Sequence, residues 1–191
     1  MSEHQNGLFD PLFDRKQLRF VIFVAVLYAV LLVPFKPLVV VPGFTEVRPA
    51  NFVPALFGVM FGPAAAWGSA FGNLAADAGG MLLGKGTLTL GSIFGFIGNF
   101  LFAYAAWRVW ILLMEKGAAI DLKRLVYFNV AGLVGSVACA VVIGAGVFAL
   151  GLQNWGAALF MVMFITVNNF LSVLVLGSIG LWLAYAQVKE K

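Results

Sequence analysis

Asn73 and Asp77 stand four residues apart in "GNLAADAGG" (Gly72 to Gly80), inside a stretch otherwise suited to lipid. On a helix that spacing puts an amide and a carboxylate on one face, one turn apart. A charge in hydrocarbon is expensive, so a carboxylate there needs a partner or a cavity. The other polar groups set among apolar residues are Asn99, Thr166, Asn168 and Asn169, with Arg48 and Asn51 at the head of a second apolar run. An arginine, a carboxylate and several amides suit the holding of a small zwitterionic or heterocyclic molecule. Arg48, Asn51, Asn73, Asp77, Asn99 and Asn168 are expected to converge on a cavity open to the outside, with Arg48 and Asp77 paired across it. The residues leave a second role open for Asp77, pinning the loop after its helix without touching a ligand. Asn99 and Asn168 have a parallel alternative, hydrogen bonding between helices. Asn169 lies about 100° around the helix from Asn168, so the two are not expected to face one cavity.

Bond-making chemistry has little to work with. The chain holds one histidine, His4, in a polar leader, and one cysteine, Cys139, in "GSVACAVVIG". A transition-metal site or a histidine-based triad needs more than that, and Cys139 reads as a small packing residue. There is no P-loop, so the chain cannot itself hydrolyse ATP. No enzyme activity, metal or cofactor is expected. Asp77 as a lone proton carrier has no relay beside it.

The elements that must position these groups follow from composition. Of 191 residues, 62% are hydrophobic and 10% charged, against about 25% charged in a soluble domain. The apolar residues come in runs near the ~20 residues that cross a bilayer. The expected fold is all-α, a polytopic membrane protein with six spans near 18–34, 50–61, 64–83, 88–113, 125–150 and 157–186. Residues 1–17 read as a cytoplasmic or interfacial tail, 18–187 as one transmembrane substrate-binding domain and 188–191 as a cytoplasmic tail. The second run is short, which leaves a re-entrant segment as its alternative. Its approach, "KPLVVVPGFTEVRPANFVP", is too apolar for a plain solvent loop.

The net charge of +4 is a topology signal rather than a nucleic-acid footprint. Arg15, Lys16, Arg19, Lys116, Lys123, Arg124, Lys189 and Lys191 fall on one side, and Lys36, Arg48 and Lys85 on the other. Basic residues favour the cytoplasm, so both termini are placed inside. Trp67, Trp107, Trp110, Trp155 and Trp182 read as an interfacial belt. Asn154 and Trp155, in an outer turn, are further candidates for ligand contact, Trp155 by stacking on a ring. Asn129 reads as structural.

Small residues repeat at helical spacing. Gly58/Gly62, Gly68/Gly72 and Gly91/Gly95 put glycines on one face and predict close internal packing. Ala25/Ala29 in "AVLYA" repeats the spacing on a helix without another packing feature, which suits a partner protein.

At these residues a family resemblance enters. "AVLYA", then "RPANFVPALFGVMFGPAAAWGSAFGNLAADAGG" followed by "GSIFGFIGNF", resemble the substrate-binding S components of energy-coupling factor (ECF) transporters, of the queuosine-precursor type or a related vitamin type. The resemblance covers about the whole chain in size and span count. It implies a membrane component without enzyme activity that captures a vitamin or similar heterocyclic micronutrient from outside. It also implies docking, through Ala25 and Ala29, on a transmembrane coupling subunit that works with two ATPase subunits in the cytoplasmic membrane. No nucleic-acid partner is expected. The competing readings are a self-sufficient secondary transporter coupled through Asp77 and a scaffold that transports nothing.

Overall fold

The computed structural model describes residues 7–36, 38–41, 45–46, 48–84, 88–114 and 121–189. His4, Lys85, Lys116 and Lys191, used in the sequence reading, lie outside the described residues. A one-turn helix α1 (Asp10–Phe13) leads into α2 (Arg15–Leu32), which begins where the Asp14 side chain accepts the Lys16 amide. A 3-10 turn (Val33–Phe35) closes α2 at Pro34, as a ring that cannot donate requires. Two short strands, β1 (Val39–Val41) and β2 (Thr45–Glu46), then pair antiparallel. The sequence reading expected only helices, so this hairpin is an addition to it.

A second 3-10 turn (Pro49–Asn51) leads into α3 (Phe52–Phe61). The remaining helices are α4 (Pro63–Leu82), α5 (Gly91–Leu113), α6 (Leu122–Ala149) and α7 (Trp155–Ser172), which runs through a π turn (Val173–Gly177) into α8 (Ser178–Lys189). The α3–α4 corner needs Gly62, whose φ of +58° is reached cheaply only without a Cβ. Pro63 then opens α4, where a missing N–H costs nothing.

Helices thus occupy all six expected positions. By length and composition four segments among the described residues are fit to cross a membrane: 15–35, 91–113, 122–149 and 155–186. The Pro49–Phe61 segment is apolar but shorter. α4 has 20 residues, but its glycines, Asn73 and Asp77 dilute its hydropathy. The molecule is a membrane-embedded, multi-pass helical protein.

Glycines set the helix spacing as expected. A Cβ on Gly72 would stand 2.8 Å from the Ala25 carbonyl, and one on Gly68 2.8 Å from that of Val21. These contacts clamp α4 to α2 in parallel. A Cβ on Gly58 would stand 2.6 Å from the Ala103 carbonyl, which joins α3 to α5. The larger buried cluster, with Phe102, Phe128, Met161 and Val173, fills the space between α3, α5, α6 and α7. A smaller one, with Val24, Tyr28, Leu32 and Val53, lies between α2, α3 and α4. Trp110 belongs to the larger cluster, which corrects its reading as a belt residue: its ring stands edge-on to Phe128 at 6.4 Å. Trp182 is exposed, as a belt residue would be.

Candidate substrate-binding site

The polar residues gather where the Arg48–Asn51 segment meets α4, α5 and α7. On α4, Asn73 and Asp77 share a face, and Asn73 Nδ2 donates to Asp77 Oδ2 at 3.5 Å. The Arg48 guanidinium donates from Nη1 to Asn73 Oδ1 at 3.0 Å, and its backbone N–H reaches Asn168 Oδ1 at 3.4 Å. Asn51 Nδ2 donates to Asn169 Oδ1, and the Ser172 hydroxyl donates to the Pro49 carbonyl. The Tyr28 hydroxyl lies 2.7 Å from Asn51 Oδ1 and 2.8 Å from Asn99 Oδ1. Asn99 is anchored in turn by donating to the Gly95 carbonyl at 2.8 Å. Six of the eight expected ligand residues, namely Arg48, Asn51, Asn73, Asp77, Asn99 and Asn168, therefore meet in one network.

Two expectations are corrected. The ion pair described for Asp77 is with Lys36, which the sequence reading had left as a charge in an outer loop. Lys36 is 2% exposed and Asp77 5%. The cation reaches the carboxylate because the turn at Val33–Phe35 folds the chain back over the end of α4. Arg48 joins the same α4 face through Asn73, one turn away. Asn168 and Asn169 both reach the network, although their side chains diverge around α7. They can do so because the Arg48–Asn51 segment lies across the helix and offers a backbone amide to one and a side chain to the other.

That segment also accounts for the shortness of α3. Asn168 is the fourteenth residue of the rod that starts at Trp155, about 20 Å along it at 1.5 Å per residue. The chain therefore descends into the bundle before α3 begins. Irregular backbone between membrane helices is tolerated where it is buried in protein or lines a polar cavity, and here Asn168 accepts the Arg48 N–H and Ser172 donates to the Pro49 carbonyl.

Burial of a lysine with an aspartate removes two charges from water, which is recovered only if the pair stays intact. The pair and the Arg48–Asn73 contact fix both ends of the segment that holds the hairpin onto successive turns of one helix. Around them are amides, which offer donor and acceptor edges together. The arrangement suits binding a polar heterocycle and contains no activated nucleophile among the described residues.

The family model described as "QueT transporter" matches residues 20–186. The chain belongs to the QueT transporter family. This is an S-component family of ECF transporters, associated with a queuosine precursor. The QueT match spans every helix that contributes to the polar network. The family is one of transporter components rather than enzymes, and transport of a small substrate across a membrane is its activity. QueT S components in general bind a small molecule and work with ECF module partners. No curated protein and no solved structure matches the chain.

The remaining expected residues lie elsewhere. The Asn154 side chain accepts the Ala157 amide and so caps α7. Trp155 is 65% exposed, with its ring edge-on to Phe148 at 5.3 Å. No described contact joins either to the network. Ala25 and Ala29 are half-buried on α2, and the Ala25 backbone packs on Gly72. Beside them Ile22, Phe23, Val26 and Val30 form an exposed apolar stripe. Asn129 is structural as expected, donating to the Leu125 carbonyl at 2.8 Å and to Ser178 Oγ at 3.0 Å.

Sequence reasoning missed Tyr28, Lys36, Asn169 and Ser172. Tyr28 carried a usable signal, a hydroxyl in the middle of an apolar run. Lys36 carried a weaker one, a cation placed between two prolines in the sequence.

Proposed function

We propose that this chain is the substrate-binding S component of an ECF-type importer, capturing a queuosine-precursor base or a similar small heterocycle from outside. Family membership supports the class of activity. The observation that carries the site is the convergence of Arg48, Asn51, Asn73, Asp77, Asn99 and Asn168 from four parts of the chain onto one buried network. Lys36 on one side of the hairpin and Arg48 on the other tie that segment to α4 through Asp77 and Asn73. Both termini lie in the cytoplasm, the chain crosses the cytoplasmic membrane six times, and residues 18–187 form one domain between two tails.

ATP-driven delivery requires a partner, because the sequence carries no P-loop. The exposed stripe of α2, with Ala25 and Ala29 between its large residues, docks on the transmembrane coupling subunit, which two ATPase subunits drive. Asn154 and Trp155 serve the outer turn rather than the ligand. Native mass spectrometry on the purified chain, with extraction of any retained small molecule, tests the reading. A stoichiometric heterocyclic ligand is expected. A chain that stays ligand-free after growth with added precursor base, and binds none when titrated, would overturn it.

A further inference from the structure

The rod formed by α7 and α8 is buried at Met161, Ile165, Asn169, Val173, Gly177 and Leu181, a run in which every step is four residues. On a straight α-helix each such step carries the face round by about 40°, so Ile165 and Gly177 would point about 120° apart. Yet both meet the same buried cluster, Gly177 through Phe128. The π turn at Val173–Gly177 reconciles them. There the Ser178 N–H reaches back five residues to the Val173 carbonyl. Such a turn takes up one extra residue, worth about 100° of rotation, and brings the two positions to within about 20°.

The turn separates two halves that are held differently. Below it, a Cβ on Gly180 would stand 2.7 Å from Leu56 Cδ2, and one on Gly177 3.1 Å from the Phe128 ring. Val173 lies against Gly132, and Asn129 donates to Ser178 Oγ at 3.0 Å. These contacts seat α8 on α3 and α6. Above it, Asn168 accepts the Arg48 N–H, Asn169 accepts the Asn51 side chain and Ser172 donates to the Pro49 carbonyl. Asn169 also meets the Cys139 side chain on α6. The polar contacts above fix one rotation of the rod and the packing below fixes another, and an uninterrupted α-helix meets only one of them. Leu174, Val175 and Leu176, inside the turn, are exposed and apolar, so their side chains hold nothing polar in place. Turns of this kind are rare in helices and recur at functional sites.

We propose that the π turn is a positioning element of the substrate site: its extra residue turns Asn168, Asn169 and Ser172 onto the Arg48–Asn51 segment while α8 stays seated on α3 and α6. What counts at the turn is the number of residues and not their side chains. The turn acts through the segment and touches no ligand. The inference rests on the polar network being the substrate site, as proposed above.

The test sets deletion of Val175 against Val175→Ala in the full chain. Val175→Ala keeps the residue count and should leave affinity for a queuosine-precursor base unchanged. The deletion lets the rod close as uninterrupted α-helix and should lower that affinity about tenfold, as the loss of a hydrogen bond or more to the segment requires. Gly180→Leu is the control for lost stability: it overfills the lower half against Leu56, and should lower the thermal unfolding midpoint while affinity holds. Hydrogen exchange of the Arg48–Phe52 amides reads the same effect without ligand. It should be faster in the deletion variant than in Gly180→Leu. A deletion variant that loses stability but keeps its affinity and its slow exchange would overturn the inference, since the turn would then serve only the seating of α8. Loss of affinity in Val175→Ala would overturn it as well. If the deletion variant does not fold, alanine inserted after Val175 makes the opposite change of about 100°, and retained affinity there overturns the inference. If the wild-type chain binds no precursor base, the substrate reading fails instead, and exchange of the Arg48–Phe52 amides alone decides the role of the turn.

Discussion

Lys36 and Asp77 are buried together, at 2% and 5% exposure, so that neither charge is tenable without the other, and this sets what their substitution must do. Breaking a buried pair by removing one partner costs about 3–5 kcal/mol, whereas replacing both by apolar residues of similar volume is often nearly neutral. Asp77→Asn and Lys36→Met should each lower the thermal unfolding midpoint in detergent sharply. The double variant Lys36→Met/Asp77→Leu should recover much of the loss. Ligand affinity measured on the double variant then separates the two roles of Asp77. Retained affinity means that the carboxylate only holds the loop, and lost affinity means that it also reads the substrate. Asn154 presents a smaller case, since its side chain caps α7. Asn154→Ala should cost about 1 kcal/mol and leave ligand affinity unchanged; a changed affinity would return the outer turn to the site.

Elements are held together through the absence of side chains rather than their burial, because lipid is as apolar as the residues it would replace. The α2–α4 contact makes this testable. Gly72 faces the Ala25 backbone closely enough that a Cβ would stand 2.8 Å from a carbonyl oxygen, and backbone cannot move aside cheaply. Gly72→Leu should separate the two helices and draw Lys36 away from Asp77. It should therefore reduce stability and ligand affinity together, whereas Gly84→Ala, with open space around its Cβ but a φ of +72°, should cost only local strain. These helix contacts were readable from spacing: Gly58, Gly68 and Gly72 announced them, and runs of apolar residues located α2 to α6 and the continuous rod of α7 and α8 within a few residues. The network was half readable. Asn73 and Asp77 share a face because 3.6 residues make a turn, and a four-residue spacing reports that directly. The partner of Asp77 was not readable, since Lys36 arrives by tertiary folding of a loop that has no periodicity. Asn169 was set aside for its angle on α7, a rule that holds for a flat neighbour. It fails for a segment that crosses the helix and touches two faces of it.

The distribution of charge along the chain sets the polarity expected of the whole molecule, and with it the end expected to meet the substrate. Lys123 and Arg124 start α6, while the turn at Gly151–Asn154 carries no basic residue. Basic residues resist translocation, so the first should lie in the cytoplasm and the second outside. The docking surface proposed on α2 shares this frame, since Ala25 and Ala29 are half-buried beside an exposed apolar stripe. Ala25→Trp should abolish uptake by the assembled transporter, but the Gly72 contact means that it also strains α2 against α4. Val26→Trp on the exposed stripe is the cleaner variant, expected to block uptake while leaving ligand affinity intact. An unaltered uptake rate would move the docking surface off α2. Orientation can be measured independently of any ligand or partner, since Cys139 is buried and is the chain's one cysteine. In a Cys139→Ala background, a cysteine in place of the exposed Asn154 should react with a membrane-impermeant maleimide on intact cells. One in place of Lys123 should react only after the membrane is opened. The reverse pattern would place the polar network on the cytoplasmic side, where it would face product release rather than capture, and the importer reading would fall with it.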